Sequence, residues 1–456
     1  MQSILLQIRL LTSVSVIMGA LVITGSGCAT FSGSSDNGEE NADDEIPELQ
    51  MQEQGEGEGR KEKKQRRKKD KERLEEIEQM AEDGSGEALV YLGRAHLEGK
   101  HSVKQDKEKA IDYFRRAAEA GNVTGQMQYA DCLENGTGTE PDLDQALRWY
   151  EQAAEEGEVE AQLKAGLILE VKEEDEKAYG YFEQAAEEGN REGKMKAASY
   201  ALTGKGGEKA PAKAVKYYRE EAAEGYVKAQ VRLAECYQKG SGVPQNYARM
   251  LSLLWIAAGK GDPEAEARIG WCYREGVGVQ KDLEEAFSWY REAARNGYAP
   301  AQVATGELML AGKGTERNSE EAAGWFSNAA QQGEVDGIYK LALCYLEGEG
   351  VERNPDEARK LLERAAEKGH SEAMYRLGLL YRNGDGVEAD EQKAATWFRR
   401  AAAQDNADAL CALGEAFLHG EGVSKDRDKA GHYLKEAAIE GSDKAVEILE
   451  DHFSNR

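Results

Sequence analysis

A glycine closes a segment of 36 residues again and again along this chain, and a recurrence of that length excludes most folds before composition is considered. The markers are Gly121, Gly157, Gly189, Gly225, Gly261, Gly297, Gly333, Gly369 and Gly441, with Asp405 standing in once, and one unit, ending at Gly189, is four residues short. Counted from the residue after each marker, the fourth place is always small: Gly125, Ala161, Gly193, Ala229, Ala265, Ala301, Gly337, Ala373 and Ala409. So is the ninth, from Ala130 and Gly166 through Gly306 and Ala342 to Gly414. Small residues at fixed places let neighbouring helices approach, the mark of one packing site repeated along a stack.

Within residues 262–297 the unit reads as helix, turn, helix. Ala265, Ala267, Ile269, Gly270 and Tyr273 recur mostly at three and four, which is helical spacing. Gly276 and Gly278 then supply a left-handed stop and a reversal of the chain. Asp282 is placed as an N-cap, and Leu283, Ala286, Phe287, Tyr290 and Ala293 form the apolar stripe of the second helix. The same turn recurs at Gly348 and Gly350, Gly384 and Gly386, and Gly420 and Gly422. Each second helix carries an aromatic or leucine pair at one register, such as Trp289 and Tyr290 or Trp397 and Phe398. A pair that recurs in every unit is expected in a core rather than around a ligand.

These residues resemble the Sel1-like repeats, relatives of the tetratricopeptide repeats. Residues 373–405 carry that family's pattern almost throughout, in Ala373, Leu377, Gly378, Tyr381, Gly384, Gly386, Val387, Lys393, Ala394, Trp397, Phe398, Ala401 and Ala402. The resemblance implies an all-α fold, an α-solenoid of about ten tandem helix-turn-helix units wound as a right-handed superhelix. It also implies an interaction scaffold with no activity attached to the repeat. The array is expected over residues 81–441, with residues 442–456 as a C-terminal capping helix.

Residues 1–27 read as an export signal, with Arg9 ahead of a mainly apolar run. The stretch ending Thr24-Gly25-Ser26-Gly27-Cys28 resembles a bacterial lipobox, with Gly25 where that pattern usually has leucine. The resemblance implies a lipid on Cys28, and Ala29 after it implies the outer membrane. Residues 28–59 form an acidic tether with ten carboxylates and no lysine or arginine. A basic helix over 60–80 then leads into the array, and its segment 60–73 holds ten basic and three acidic residues. Such a run is a solvated face or a patch for an anionic lipid or anionic glycan.

The chain carries a net charge of −27, of which −25 falls on residues 74–456. That field repels nucleic acid and favours basic partners. Two units depart from the pattern: residues 158–189 lack the paired glycines, and the first unit has Lys100-His101-Ser102 after Gly99. The paired glycines lack the preceding strand, the third glycine and the lysine of a phosphate loop. His96, His101, His370, His419, His432 and His452 are scattered, so no catalytic, cofactor-binding or metal site is predicted. Cys132, Cys236, Cys272 and Cys344 share one register, with Cys411 elsewhere. Some exported Sel1-like proteins staple each unit with two cysteines, a branch to which penicillin binding is attributed; here the second cysteine is missing.

The functional expectation is a non-enzymatic scaffold for envelope proteins, exported, lipid-anchored in a bacterial envelope and facing the periplasm. Its partners are expected in a groove lined by successive first helices. Capture of an envelope glycan, peptidoglycan or exopolysaccharide, is the alternative, and a hydrolase of cell-wall or β-lactam substrates stands third.

Overall fold

The computed structural model describes residues 60–101 and 103–453, and the expected signal, Cys28 and acidic tether lie outside them. Every regular element among the described residues is a helix. Helix α1 (Arg60–Glu82) precedes the array, burying Ile77 and Ala81. The first helices of the units follow with even numbers: α2 (Gly86–Glu98), α4 (Val123–Asn135), α6 (Val159–Val171), α8 (Arg191–Thr203), α10 (Val227–Lys239), α12 (Pro263–Glu275), α14 (Ala299–Ala311), α16 (Val335–Glu347), α18 (Ser371–Asn383) and α20 (Ala407–His419). The second helices carry odd numbers: α3 (Lys107–Glu119), α5 (Leu143–Glu155), α7 (Asp175–Glu187), α9 (Pro211–Ala223), α11 (Tyr247–Ala258), α13 (Leu283–Arg295), α15 (Ser319–Gln331), α17 (Pro355–Glu367), α19 (Glu391–Ala402) and α21 (Arg427–Ile439). Helix α22 (Asp443–Phe453) is a further first helix that buries Ala445 over the last unit. No described helix is long and apolar enough to cross a membrane.

The two small places serve two interfaces. At the ninth place the second helix of the same unit lays a ring on bare backbone: a Cβ added to Gly166 would stand 2.6 Å from Phe182, and one on Gly306 2.6 Å from Phe326. Wherever this partner is phenylalanine, at Phe114, Phe182, Phe326 and Phe398, the ninth residue is glycine. Alanine is found only opposite Tyr150, Tyr218, Leu254 and Leu362. The fourth place faces the preceding unit instead, where a Cβ on Gly337 would stand 2.6 Å from that of Ala329. Side chain and partner are thus matched by volume, as close-packed interiors require.

Gly276, Gly348, Gly384 and Gly420 close their first helices in the left-handed region, at φ between 70° and 85°. Gly278, Gly350, Gly386 and Gly422 follow at φ between 68° and 77°, but the reversal is only part of their role. They abut the start of the preceding unit's second helix, so that a Cβ on Gly350 or Gly422 would overlap the carbonyl oxygen of Ser319 or Glu391. The turn is a joint between units. Among the described residues, three other than glycine hold positive φ: Asp405 at a unit-closing place, His101 at the second turn place of the first unit, and Glu173 in the tight link of the short unit.

After most full turns an aspartate or asparagine restarts the chain, Ala210 being the exception. The Asp282 N–H donates to the Tyr273 carbonyl at 2.9 Å, and its side chain accepts from the N–H of Glu285. Asn318, Asn354, Asp390 and Asp426 repeat both bonds in their own units.

Candidate binding groove on the inner face

Neighbouring first helices approach each other more closely than neighbouring second helices do, at α2 with α4 and at α14 with α16, so the first helices form the inner layer. The sixth and seventh places of the units make two parallel rows along it. The sixth is mostly apolar, running Met127, Leu163, Met195, Val231, Ala267, Val303, Tyr339 and Tyr375. The seventh is basic in six units, at Lys164, Lys196, Arg232, Arg268, Lys340 and Arg376.

That basic row is neutralised from within. Lys164 meets Glu134 at 3.0 Å, Lys196 meets Glu170 at 2.5 Å and Lys340 meets Glu307 at 2.6 Å, each carboxylate coming from the preceding first helix. Arg232 reaches forward to Glu264 at 3.0 Å and also holds Glu235, while Arg268 joins Glu235 and Glu264. These half-buried pairs lace the inner layer, each contributing on the order of 1 kcal/mol or less. They also leave the rows without a strong field of either sign.

Between α12, α14 and α16 the layer carries a groove of about 520 Å³. Trp271, Tyr298, Tyr339 and His370 line it, with Arg268, Lys340, Glu307, Glu334 and Asp336 around them. Burial, followed by the charge of Glu264, pushes the Tyr298 phenol above its ordinary range, so it stays neutral. His370 stacks on Tyr339 with ring centres 4.5 Å apart. Its Nδ1 accepts the Ala373 N–H at 3.0 Å, capping α18, and its Nε2 lies 3.3 Å from Asp336. Trp271 also joins two stretches of core, packing against the buried residues on both sides.

None of the eight turn glycines singled out from sequence lines this groove. Cys28 lies outside the described residues, and within 60–73 side chains are described only for Lys69 and residues 71–73. The five described cysteines are free and buried. Burial pushes the thiols of Cys132, Cys236, Cys272 and Cys344 up to about 11, which suits packing and not reactivity. Sequence reasoning assigned no residue to the groove, although Ala267, Tyr290, Ala301 and His370, noted there for other reasons, line it. The available signal was an aromatic at a place that is polar or aliphatic in most units: Trp271 at the tenth, Tyr298 at the first.

Ten segments match the Sel1 repeat family: residues 86–122, 123–158, 160–190, 194–226, 227–255, 263–298, 299–334, 335–370, 371–406 and 407–442. Among solved structures, the chain is 31% identical to c5321, a protective antigen present in uropathogenic Escherichia coli strains and displaying an SLR fold. That similarity covers 83% of this chain and 82% of the antigen, with a TM-score of 0.51. A Sel1 repeat protein from Oxalobacter formigenes is 26% identical over 83% of this chain and 89% of its own, with a TM-score of 0.46. No curated protein matches significantly. Repeats of this kind are in general scaffolds for protein partners. By ten matched units and by the relative that shares its length, this chain belongs to the Sel1 repeat family.

Proposed function

We propose that the protein is a non-enzymatic scaffold that gathers protein partners along its inner layer, held in a bacterial cell envelope by a lipid on Cys28. The observation that carries this reading is the inner layer itself. Its seventh-place cations are largely paired within the layer, and it carries an aromatic groove between α12 and α16. Aromatic and arginine side chains in a partly enclosed groove are the usual anchors of protein recognition. Location rests on the sequence: an apolar leader, small residues before Cys28 and an acidic spacer fit an exported lipoprotein at the outer membrane, facing the periplasm.

Crosslinking and affinity capture of the tagged full-length chain from its native membranes tests the scaffold, beside a version lacking residues 60–73. A discrete set of proteins retained by both supports it. Cell-wall material alone, retained only with the basic run, replaces it with the glycan reading, for which the groove aromatics would also serve. Mass spectrometry of the mature N-terminus checks the lipid, and an unmodified Cys28 removes the anchor from the proposal.

A further inference from the structure

Tyr226 and Tyr298 occupy the same place in units two apart, yet their surroundings differ. Over the Tyr226 ring stands the Arg191 guanidinium, 5.0 Å from the ring centre, and Glu221 holds that guanidinium at 2.8 Å. In the unit before Tyr298 the place of Arg191 is taken by Pro263 and that of Glu221 by Ala293. Both rings line grooves of the inner layer, but among the described residues no cation stands over the Tyr298 ring.

The charges around that wall are not evenly spent. Arg268 is tied to Glu235 and Glu264, Lys340 to Glu307 at 2.6 Å, and Arg274 to Glu275 at 2.7 Å. Among the described residues, neither Glu334 nor Asp336 pairs with a lysine or arginine. Asp336 lies 3.3 Å from His370 Nε2, while the other ring nitrogen, Nδ1, accepts the Ala373 N–H. A ring with an open face beside two unneutralised carboxylates is chemistry for a flat cation.

We propose that this groove receives an arginine side chain from an extended segment of a partner protein. Its guanidinium lies on Tyr298 as Arg191 lies on Tyr226, with Glu334 and Asp336 supplying the counter-charge. The assignment rests on the scaffold reading and names the partner chemistry at one point of it. The net charge of −27 draws such a segment in, and the planar guanidinium is preferred to the compact, strongly hydrated ammonium of lysine.

The test is selection of a random nonapeptide library on the full chain, followed by affinity measurement of the selected peptides and their citrulline twins, which keep the shape and lose the charge. Selected peptides are expected to carry arginine at one fixed place and to weaken roughly ten-fold with citrulline. Tyr298→Ala, which removes no capping hydrogen bond from α14, and the double variant Glu334→Gln with Asp336→Asn should each erase that difference while leaving the circular dichroism unchanged. Pro263→Arg should restore the arrangement seen at Tyr226 and block the peptides from within. Winners without arginine, no winners, or equal binding of the citrulline twins overturns the proposal. So does binding of cell-wall fragments that Tyr298→Ala abolishes with no arginine effect. Native protein partners captured equally by wild type and Tyr298→Ala sink the arginine site alone, and the absence of any captured protein sinks the scaffold itself.

Discussion

Glu266→Gln should make this protein more stable, and the reason lies in the register. Glu266 is 5% exposed, at the fifth place of its unit, where four other units hold Gln126, Gln162, Gln230 and Gln302. Gln302 shows what the place accommodates: its Nε2 donates to the Ala294 carbonyl at 3.2 Å and its Oε1 accepts from Gln332 at 2.9 Å. Gln230 donates likewise to Ala222 at 3.3 Å. Glu266 keeps only the second half, accepting from Asn296 at 3.0 Å. As a carboxylate it has no proton to offer Ala258, the carbonyl in the corresponding place. Burial, first, and then the charges of Glu292 and Asp262 push its carboxyl above the ordinary 4.5, against the pull of Asn296.

The pH dependence follows with a definite sign. A carboxyl raised in the folded state binds its proton more tightly there than in the unfolded chain. Its stabilising contribution is therefore complete below 4.5 and is lost as pH rises through the folded value. Replacing it by glutamine removes that loss and adds one neutral hydrogen bond, so the variant should gain about 1 kcal/mol at pH 8 and little at pH 4. Urea unfolding at both values gives the gain as a shift in midpoint at constant slope. A linear array can open in pieces, so hydrogen exchange of the α11 and α12 amides supplies the local reading. A loss of stability at pH 8, or an equal gain at both pH values, would refute the argument.

Three further outcomes are expected. Gly306→Ala should cost at least about 2 kcal/mol by forcing a Cβ into Phe326, and adding Phe326→Leu should recover much of it, because Ala342 already sits opposite Leu362; a double-mutant cycle measures the coupling. Gly350→Ala should be worse than Gly121→Ala in a thermal melt, since both sit at positive φ but only the former would overlap a neighbouring unit. The thiols of Cys132, Cys236, Cys272 and Cys344 should react with a thiol reagent at pH 8 only slowly in the native protein and promptly in denaturant, because burial holds them at about 11; fast native labelling would show that the array opens far more readily than its packing implies.

The solenoid was legible because its cause is repeated. Each packing demand appears about ten times at one register, so Gly270 and Gly306, or Tyr290 and Phe326, identify one another. Asp405 was legible as a stand-in for glycine for the same reason, and it does hold φ at 56°. His101 and Glu173 take up the same backbone region in units whose turns depart from the pattern, where there was no register to read them by. Nor could the sequence show that Gly350 rests on the preceding unit, because its contact with Ser319 crosses 31 residues and leaves no signature in either residue type. The groove stayed hidden for the opposite reason: Trp271, Tyr298 and Tyr339 sit at places where residue type varies, and only folding brings the tenth place of one unit to the first and sixth of the next two.

Recognition and packing therefore occupy different places of the same unit. A residue repeated in every unit is answerable to its neighbours and cannot distinguish one partner from another. Ala265 and Gly270, at places that are small in every unit, are of this kind. Specificity has to reside in departures that leave those contacts intact, and the chain shows two of them at equivalent sites. Around Tyr226 the departure is met from within: Lys194 and Arg191 meet Glu221, 5% exposed in its side chain, at a place that is alanine in other units, and Arg191 stands over the ring in its groove. Around Tyr298 the corresponding places are Pro263 and Ala293, the packing is regular again, and the ring faces the groove. One scaffold can thus either satisfy a departure within itself or offer it outward, by the choice of residue at two places of the unit.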